Sequence, residues 1–180
     1  MTALFKSGER TNATNYRPIS ILPTLSKILE KVVCFQFYQF LNSHNLLSNK
    51  QFGFRPKLST TTAMSSFSDE VLIYIEQGNL CGVVFLDLTK AFDTVDHCIL
   101  LSKLSAVGVS PSSLKWFESY LSYRKQQTSC TNDLSEALPV IFGVPQGSIL
   151  GPLLFLVYIN NLPDVIKNSQ VTLYADDTVL

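Results

Sequence analysis

Two short apolar segments that each run into aspartate constrain the fold of this 180-residue sequence most strongly. Residues 82–86 (GVVFL) precede Asp87, and residues 171–174 (VTLY) precede the Ala-Asp-Asp run at 175–177. Both segments have the composition of strands, and the first is predicted to be a buried strand. A carboxylate that follows a buried strand needs a cation or solvent to offset the cost of its burial. The sequence therefore predicts an acidic site where two strands end.

The rest of the sequence alternates between helix and strand, without an internal repeat or a long linker. Apolar residues at three- and four-residue spacing predict a helix over residues 24–42, and a second helix is predicted over 60–76. From residue 82 the predicted order is strand, helix, helix, strand, strand, helix, strand. Its later parts are a helix through 99–104, a helix from Ser110 and Pro111, two strands in 126–142 about a turn at Asn132 and Asp133, and a helix over 149–160. This order predicts an α+β fold, in which helices back an antiparallel sheet.

The formal net charge is zero, but the charge is unevenly distributed. Residues 1–60 hold eight Lys or Arg and two Glu, whereas residues 61–180 hold six bases and twelve acids. A basic part suits phosphate groups and an acidic part suits divalent cations. On charge alone, a functional division into a phosphate-binding part and a cation-binding part and an accidental asymmetry are equally consistent with the sequence.

The predicted acidic site has the chemistry of a divalent-metal centre. Carboxylates without His or Cys suit Mg²⁺ or Mn²⁺, and two such ions about 3.5–4 Å apart would activate a 3′-hydroxyl and stabilise leaving pyrophosphate. The reaction class is then phosphoryl transfer. The alternative is that Asp176 and Asp177 only form a hairpin turn. The four cysteines include no C-x-x-C pair, so neither a zinc site nor a disulfide framework is predicted.

Five ordered motifs favour the metal centre. They are residues 15–20 (NYRPIS), 51–55 (QFGFR), 85–97 (FLDLTKAFDTVDH), 143–152 (GVPQGSILGP) and 174–177 (YADD). Together they resemble the fingers and palm motifs of reverse transcriptases from non-LTR (LINE-type) retrotransposons, and the resemblance covers essentially the whole chain. It implies an RNA-directed DNA polymerase, a nucleotidyltransferase that adds dNTPs to a primer 3′-hydroxyl with two Mg²⁺ (or Mn²⁺) ions. The implied partners are an RNA template, a DNA primer and dNTPs.

The resemblance also implies which residues form the metal site. Asp87 and Asp176 would be the principal catalytic metal ligands, with Asp177 as a third acid. The Leu88 carbonyl would be a backbone ligand, and Tyr174 would support the primer end or the hairpin.

Three further residues are implied to bind the incoming nucleotide. Phe92 would be a steric gate that excludes a 2′-hydroxyl, and the alternative is a core phenylalanine at the start of a helix. Arg17 would cover the base and reach the α-phosphate, because guanidinium both stacks and makes forked hydrogen bonds. Lys6 would bind the γ-phosphate, and the alternative is a solvated surface lysine.

The turn at residues 145–147 is implied to lie near the nascent base pair. Gln146 would hydrogen-bond a base or sugar edge, Gly147 would let the backbone approach the template, and Pro145 would keep the turn rigid. Arg55 would contact the template strand, or brace the fingers through an ion pair. Asp93 and Asp96 are predicted to be helix caps.

The resemblance predicts a right-hand polymerase without its thumb: residues 1–80 as a fingers segment with basic loops, and 81–180 as the palm. Because only three residues follow Asp177, we expect the chain alone not to extend a primer. The alternatives are an inactive, truncated retroelement remnant and an RNA-templated RNA polymerase or another palm enzyme. No signal peptide and no run of about 18 apolar residues is found, so no membrane association is predicted. The resemblance implies an intracellular location, in nucleus and cytoplasm.

Overall fold

The computed structural model describes residues 1–130 and 133–180, which form six α-helices, a short 3₁₀-helix at Ala13–Asn15 and nine strands. The helices are α1 Thr24–Ser43, α2 Thr60–Glu76, α3 His97–Ala106, α4 Pro111–Leu121, α5 Gly151–Ile159 and α6 Leu162–Val165. The strands are β1 Thr2–Phe5, β2 Tyr16–Ile19, β3 Phe85–Leu86, β4 Lys125–Gln126, β5 Ser129–Cys130, β6 Asp133–Leu134, β7 Leu138–Pro139, β8 Thr172–Tyr174 and β9 Asp177–Val179. The predictions of α1 to α5 are confirmed to within about two residues at the predicted ends.

Local capping explains why three helices begin where they do. Ser59 and Thr62 form a reciprocal capping box at the start of α2. Ser110 accepts a hydrogen bond from the Ser113 amide, and Pro111 occupies the first turn of α4. The predicted cap at Asp96 is confirmed, because its side chain accepts from the Ile99 amide at the start of α3.

The core lies between α1, α3, α4 and α5. Helix α5 is apolar around its whole circumference, and a helix of that kind is stable only when other elements surround it. Facing residues from the other helices include Leu41, Leu104 and Phe117, all buried. This packing holds the segment that follows the turn at 145–147.

The strands of the described ranges form three small sheets, so the α+β prediction is confirmed at that level. One has the order β2-β1-β5-β6, the second β3-β9-β8, and the third β4-β7. All neighbouring pairs are antiparallel except β1 with β5. The two strands predicted within 126–142 are four short ones, β4 paired with β7 and β5 with β6. Asn132 of the predicted turn lies outside the described residues.

The prediction of a buried strand at 82–86 is wrong. Only Phe85 and Leu86 are extended in a ladder, and their side chains are 74% and 43% exposed. The reason is that β3 pairs with β9 alone at one edge of the sheet, whereas at the other edge residues 50–52 also bond to β8. By contrast, β8 is buried, and Leu173 is fully inaccessible.

A helix can cross a bilayer only when it is both long and apolar enough. Among the helices of the described ranges, none combines length and hydropathy to the extent that a membrane crossing requires.

Candidate functional site

The three predicted acids meet at one end of the β3-β9-β8 sheet. In the antiparallel ladder Leu86 pairs with Thr178, so the next position on each strand brings Asp87 opposite Asp177. Tyr174 pairs with Asp177 in the adjacent hairpin, and Asp176 lies in the two-residue turn between them. Main-chain bonds between Val84 and Leu180, at 2.8 and 2.9 Å, continue the pairing away from the acids.

Electrostatic repulsion among the acids affects the pKa of Asp177. Partial burial raises the pKa of the Asp177 carboxyl above its ordinary value, and the carboxylates of Asp176 and Asp87 raise this pKa further. Asp87 and Asp177 are exposed and Asp176 is half-buried, so solvent reaches all three. A solvent-accessible carboxylate that two neighbouring carboxylates repel attracts cations.

This donor set fits a hard divalent ion. Mg²⁺ prefers carboxylate, carbonyl and phosphate oxygens, and proteins usually hold it with one or two carboxylates plus substrate phosphates. The repulsion that raises the pKa of Asp177 is relieved when a cation lies among the carboxylates. Within residues 1–130 and 133–180, no three His, Cys, Asp or Glu side chains are grouped tightly enough to enclose a metal by themselves.

The acidic turn adopts an unusual main-chain conformation. Ala175 has φ +58°, in the left-handed region that costs a residue with a Cβ about 1–2 kcal/mol. A positive φ at the first central residue is typical of tight hairpin turns whose twist matches the strands. The Ala175 side chain is buried, although it lies at the tip of a hairpin.

Phe92 lies beside the core. Its ring stacks on Phe155 at 4.5 Å between centroids, and the Phe54 ring meets it edge-on at 5.9 Å. The ring is half-buried, so part of its surface faces solvent.

The turn at residues 145–147 joins the first hairpin. The Ser20 amide donates to the Gln146 carbonyl at 2.8 Å, directly after β2, the strand that carries an exposed Arg17. Gly147 has φ +98°, and an added Cβ would lie 3.0 Å from the Ser20 carbonyl oxygen. Pro145 is buried, and its carbonyl accepts from the Ser148 hydroxyl at 2.8 Å. Glycine at 147 therefore suits both the positive φ and the close approach to the Ser20 carbonyl just after β2.

The predicted helix cap at Asp93 is wrong. No helix begins there, and its carboxylate instead accepts from Gln146 Nε2 at 2.8 Å. The reason is that Gly143 packs against the Asp93 main chain, which brings the two side chains together. Gln146 keeps its amide oxygen and a second N–H for other partners.

The remaining two predicted basic residues lie elsewhere. Lys6 is exposed, and its main chain pairs with Asn15 across the β1-β2 hairpin at 2.8 Å. Arg55 is half-buried, and its Nη1 donates to the carbonyls of Ser48 and Gln51 at 2.8 and 3.2 Å. In this structure Arg55 braces its own loop.

Comparison with known proteins decides the family. The sequence matches the family described as "Reverse transcriptase (RNA-dependent DNA polymerase)" over residues 6–180. The chain belongs to the reverse transcriptase family. The resemblance drawn from the motifs is thus confirmed.

Related polymerases of Drosophila melanogaster match along nearly the whole chain. The probable RNA-directed DNA polymerase from transposon BS is 34% identical over 92% of the chain. Those of transposon X-element and mobile element jockey are each 31% identical, over 91% and 98% of the chain. The matched segments make up 18%, 19% and 20% of the X-element, BS and jockey proteins. The chain therefore spans about a fifth of the length of these reverse transcriptase relatives.

The structure also assigns contacts to reverse transcriptase motif residues for which the sequence predicted no role. Gln51 is buried, and its amide contacts Ala175 of the acidic turn. Gly53 packs so closely on that turn that an added Cβ would lie 2.2 Å from the Ala175 nitrogen. The sequence signal was a polar residue and a glycine within the motif at 51–55, but nothing in the sequence named their partner.

Glu30 also makes contacts for which the sequence predicted no role, although it lies outside the motifs. Its side chain is 2% exposed on α1 and accepts from the amides of Ile149 and Leu150, at 2.7 and 3.4 Å. It also accepts from the Tyr120 hydroxyl at 3.1 Å. A buried carboxylate thus binds the two amides that precede α5 and fixes the end of the motif at residues 143–152.

Proposed function

We propose that this chain is the metal-binding and nucleotide-binding part of an RNA-directed DNA polymerase that adds dNTPs to a primer on an RNA template. The observation that carries the proposal is the meeting of Asp87, Asp176 and Asp177 at one sheet end, where their charges repel. In this proposal residues 1–80 are the fingers and residues 81–180 the palm of a right-hand polymerase.

In the proposed site Asp87 and Asp176 hold two Mg²⁺ (or Mn²⁺) ions, with Asp177 and the Leu88 carbonyl as further oxygen donors. When bound, the ions would activate the primer hydroxyl and neutralise charge on the leaving pyrophosphate. The chain's own contribution is to fix three carboxylates beside the place where the phosphates react. The main-chain ladder and the tight turn supply that fixed geometry.

The incoming nucleotide would lie between the acids and the first hairpin. Arg17 would bind the α-phosphate and stack on the base, and Lys6 would bind the γ-phosphate. The Ser20–Gln146 bond supports this placement, because it joins the Arg17 strand to the turn at 145–147. Phe92 would act as the steric gate, since its packing against Phe155 prevents the ring from moving away from a 2′-hydroxyl.

The template and primer would pass beside the same turn. Gln146 would use its remaining amide groups on a base or sugar edge, while Pro145 and Gly147 hold the turn in place. Arg55 would face the template strand, and Tyr174 would support the primer end.

The test is primer extension after transfer of this chain into the jockey polymerase, in place of the aligned segment. We expect dNTP incorporation on poly(rA)/oligo(dT). We expect Asp176→Asn to reduce it by at least about 10²-fold, because metal stabilisation of the transition state is worth several kcal/mol. Asp96→Asn is the matched control, since asparagine caps a helix as well as aspartate does.

Failure of the chimera despite normal Mn²⁺ binding would contradict the proposal and favour the inactive remnant. The gate is tested in the same protein with Phe92→Ala. Removal of the ring should lower the preference for dNTPs over rNTPs by at least about 10-fold. An unchanged preference would remove Phe92 from the site and leave an RNA-templated RNA polymerase open.

A further inference from the structure

Gln51 makes three hydrogen bonds through one buried side-chain amide, and two of them go to a single residue of the acidic turn. Its Oε1 accepts from the Ala175 amide at 2.9 Å and from the Gly53 amide at 2.8 Å. Its Nε2 donates to the Ala175 carbonyl at 3.1 Å. The orientation of the amide is unambiguous, because rotating it would bring its NH₂ group against two N–H donors. The side chain therefore binds both polar groups of Ala175.

These bonds stabilise a residue whose main-chain conformation is sterically unfavourable. Ala175 has φ +58°, which alanine adopts only when its surroundings compensate the steric cost. The amide of Gln51 stabilises that conformation because it satisfies the N–H and the C=O that the turn directs into the protein. Asp176 follows directly, so the direction of its side chain depends on the Ala175 conformation.

The segment that carries Gln51 is itself fixed against the hairpin. The Phe52 amide donates to the Leu173 carbonyl at 2.8 Å, and the Leu173 amide donates to the Lys50 carbonyl at 2.9 Å. These bonds place residues 50–52 along β8, on the side opposite β9. Arg55 secures the same segment through the Gln51 carbonyl. The turn is therefore held by a strand-like segment that is 124 residues away in sequence.

We propose that Gln51 is a positioning residue of the metal site, which holds the Ala175 peptide so that Asp176 stands beside Asp87 and Asp177. This inference rests on the proposed function of the three acids as a divalent-cation site. Gln51 does not contact the ion. It sets the main chain that carries an ion ligand, and the loss of such supporting residues commonly weakens metal binding by about 10–100-fold.

The chain contains a matched control for this amide. Asn160 also accepts from one backbone amide, Ser48 N at 2.8 Å, and donates to one backbone carbonyl, Leu46 O at 2.7 Å. It joins the end of α5 to the loop after α1, and both of these hydrogen bonds go to that loop rather than to the hairpin. Asn160→Leu therefore removes similar hydrogen bonds at a place from which Asp176 is not positioned.

The first experiment measures Mn²⁺ binding to the chain by electron paramagnetic resonance. We expect Gln51→Leu to raise the Mn²⁺ Kd by at least about 10-fold, and Asn160→Leu to leave it within about twofold. Gln51→Met, which keeps the length of the side chain, provides a milder second variant should leucine prevent folding. Equal Mn²⁺ affinity in the wild-type protein and the folded Gln51 variant would overturn the inference while leaving the metal site itself intact.

The second experiment needs no metal. Amide hydrogen exchange in the metal-free chain should accelerate at Ala175 and Gly53 by at least about 10-fold in Gln51→Leu, because both amides lose their acceptor. In Asn160→Leu the acceleration should be found at Ser48 instead. Unchanged exchange at Ala175 would overturn the inference whatever the Mn²⁺ result. A wild-type chain that binds no Mn²⁺ would overturn both this inference and the proposed function.

Discussion

The hairpin that carries Asp176 and Asp177 is packed into the protein, whereas the strand that ends at Asp87 lies at an exposed sheet edge. In the hairpin Leu173 is fully buried, and residues 50–53 contact one side of it. On the other strand Leu86 is 43% exposed, and main-chain bonds to the 177–180 segment hold it in place. The acidic site thus has two arms, which are the hairpin of β8 and β9 and the strand β3 that ends before Asp87. The position of Asp176 depends on side-chain packing, and that of Asp87 depends on backbone pairing.

Truncation of a leucine in each arm should reveal the largest difference in stability. Leu173→Ala should lower the free energy of unfolding by about 2–5 kcal/mol, because it leaves a cavity in a closed environment. Leu86→Ala should cost about 1 kcal/mol or less, since much of the side chain is already in water. Urea denaturation of the two variants measures the difference. Equal losses would show that the exposed strand is packed as firmly as the hairpin.

Substitution of one glycine near each arm should give a smaller difference in stability. In Gly53→Ala the new Cβ would lie 2.2 Å from the Ala175 nitrogen, and such overpacking costs about 1–3 kcal/mol. In Gly82→Ala the new Cβ would meet nothing within 4 Å, so the change in stability should stay within about 0.5 kcal/mol. Thermal unfolding of both proteins compares the arms directly. A neutral Gly53→Ala would contradict the close packing of the acidic turn.

Local features of the fold could be predicted from the sequence, whereas features that depend on tertiary contacts could not. Helices α1, α2 and α4 follow from apolar spacing, caps and a proline, which are local signals. The burial of residues 82–86 was predicted wrongly, because their composition is that of a core strand, whereas tertiary contacts cover β8 and leave β3 exposed. The β1-β2 hairpin was not predicted, because its four-residue strands are too short for a clear pattern.

In the candidate site, too, the contacts between residues far apart in sequence were the ones that could not be predicted. The pairing of Asp87 with Asp177 is consistent with the expectation that the two acidic strands are neighbours. The contact of Gln51 with Ala175 could not be predicted, because the two residues are 124 positions apart and local sequence patterns do not indicate which distant residues meet. The bond between Gln146 and Asp93 was missed for the same reason, and it explains why Asp93 is not a helix cap.

The smallest predicted effect is a pH dependence at the acid shared by the two arms. An acid with a raised pKa in the folded state destabilises that state when it is ionised. Asp177→Asn should therefore be more stable than the wild-type protein at neutral pH, by less than about 1 kcal/mol, because solvent screens an exposed group. The gain should shrink as the pH falls through the raised pKa, and vanish below the ordinary aspartate value of about 3.9. Denaturant unfolding without metal from neutral to acidic pH measures it, and a gain that grew on acidification would contradict the repulsion.

Mn²⁺ titration of the metal-free chain tests most directly whether the two arms form one site. Binding is followed by electron paramagnetic resonance in the wild-type protein and in Asp87→Asn, Asp176→Asn and Asp96→Asn. We expect the first two substitutions each to weaken binding by at least about 10-fold, since each removes a ligand from a different arm, and the third to have no effect. Retention of full Mn²⁺ affinity by either Asp87→Asn or Asp176→Asn would contradict a shared metal site.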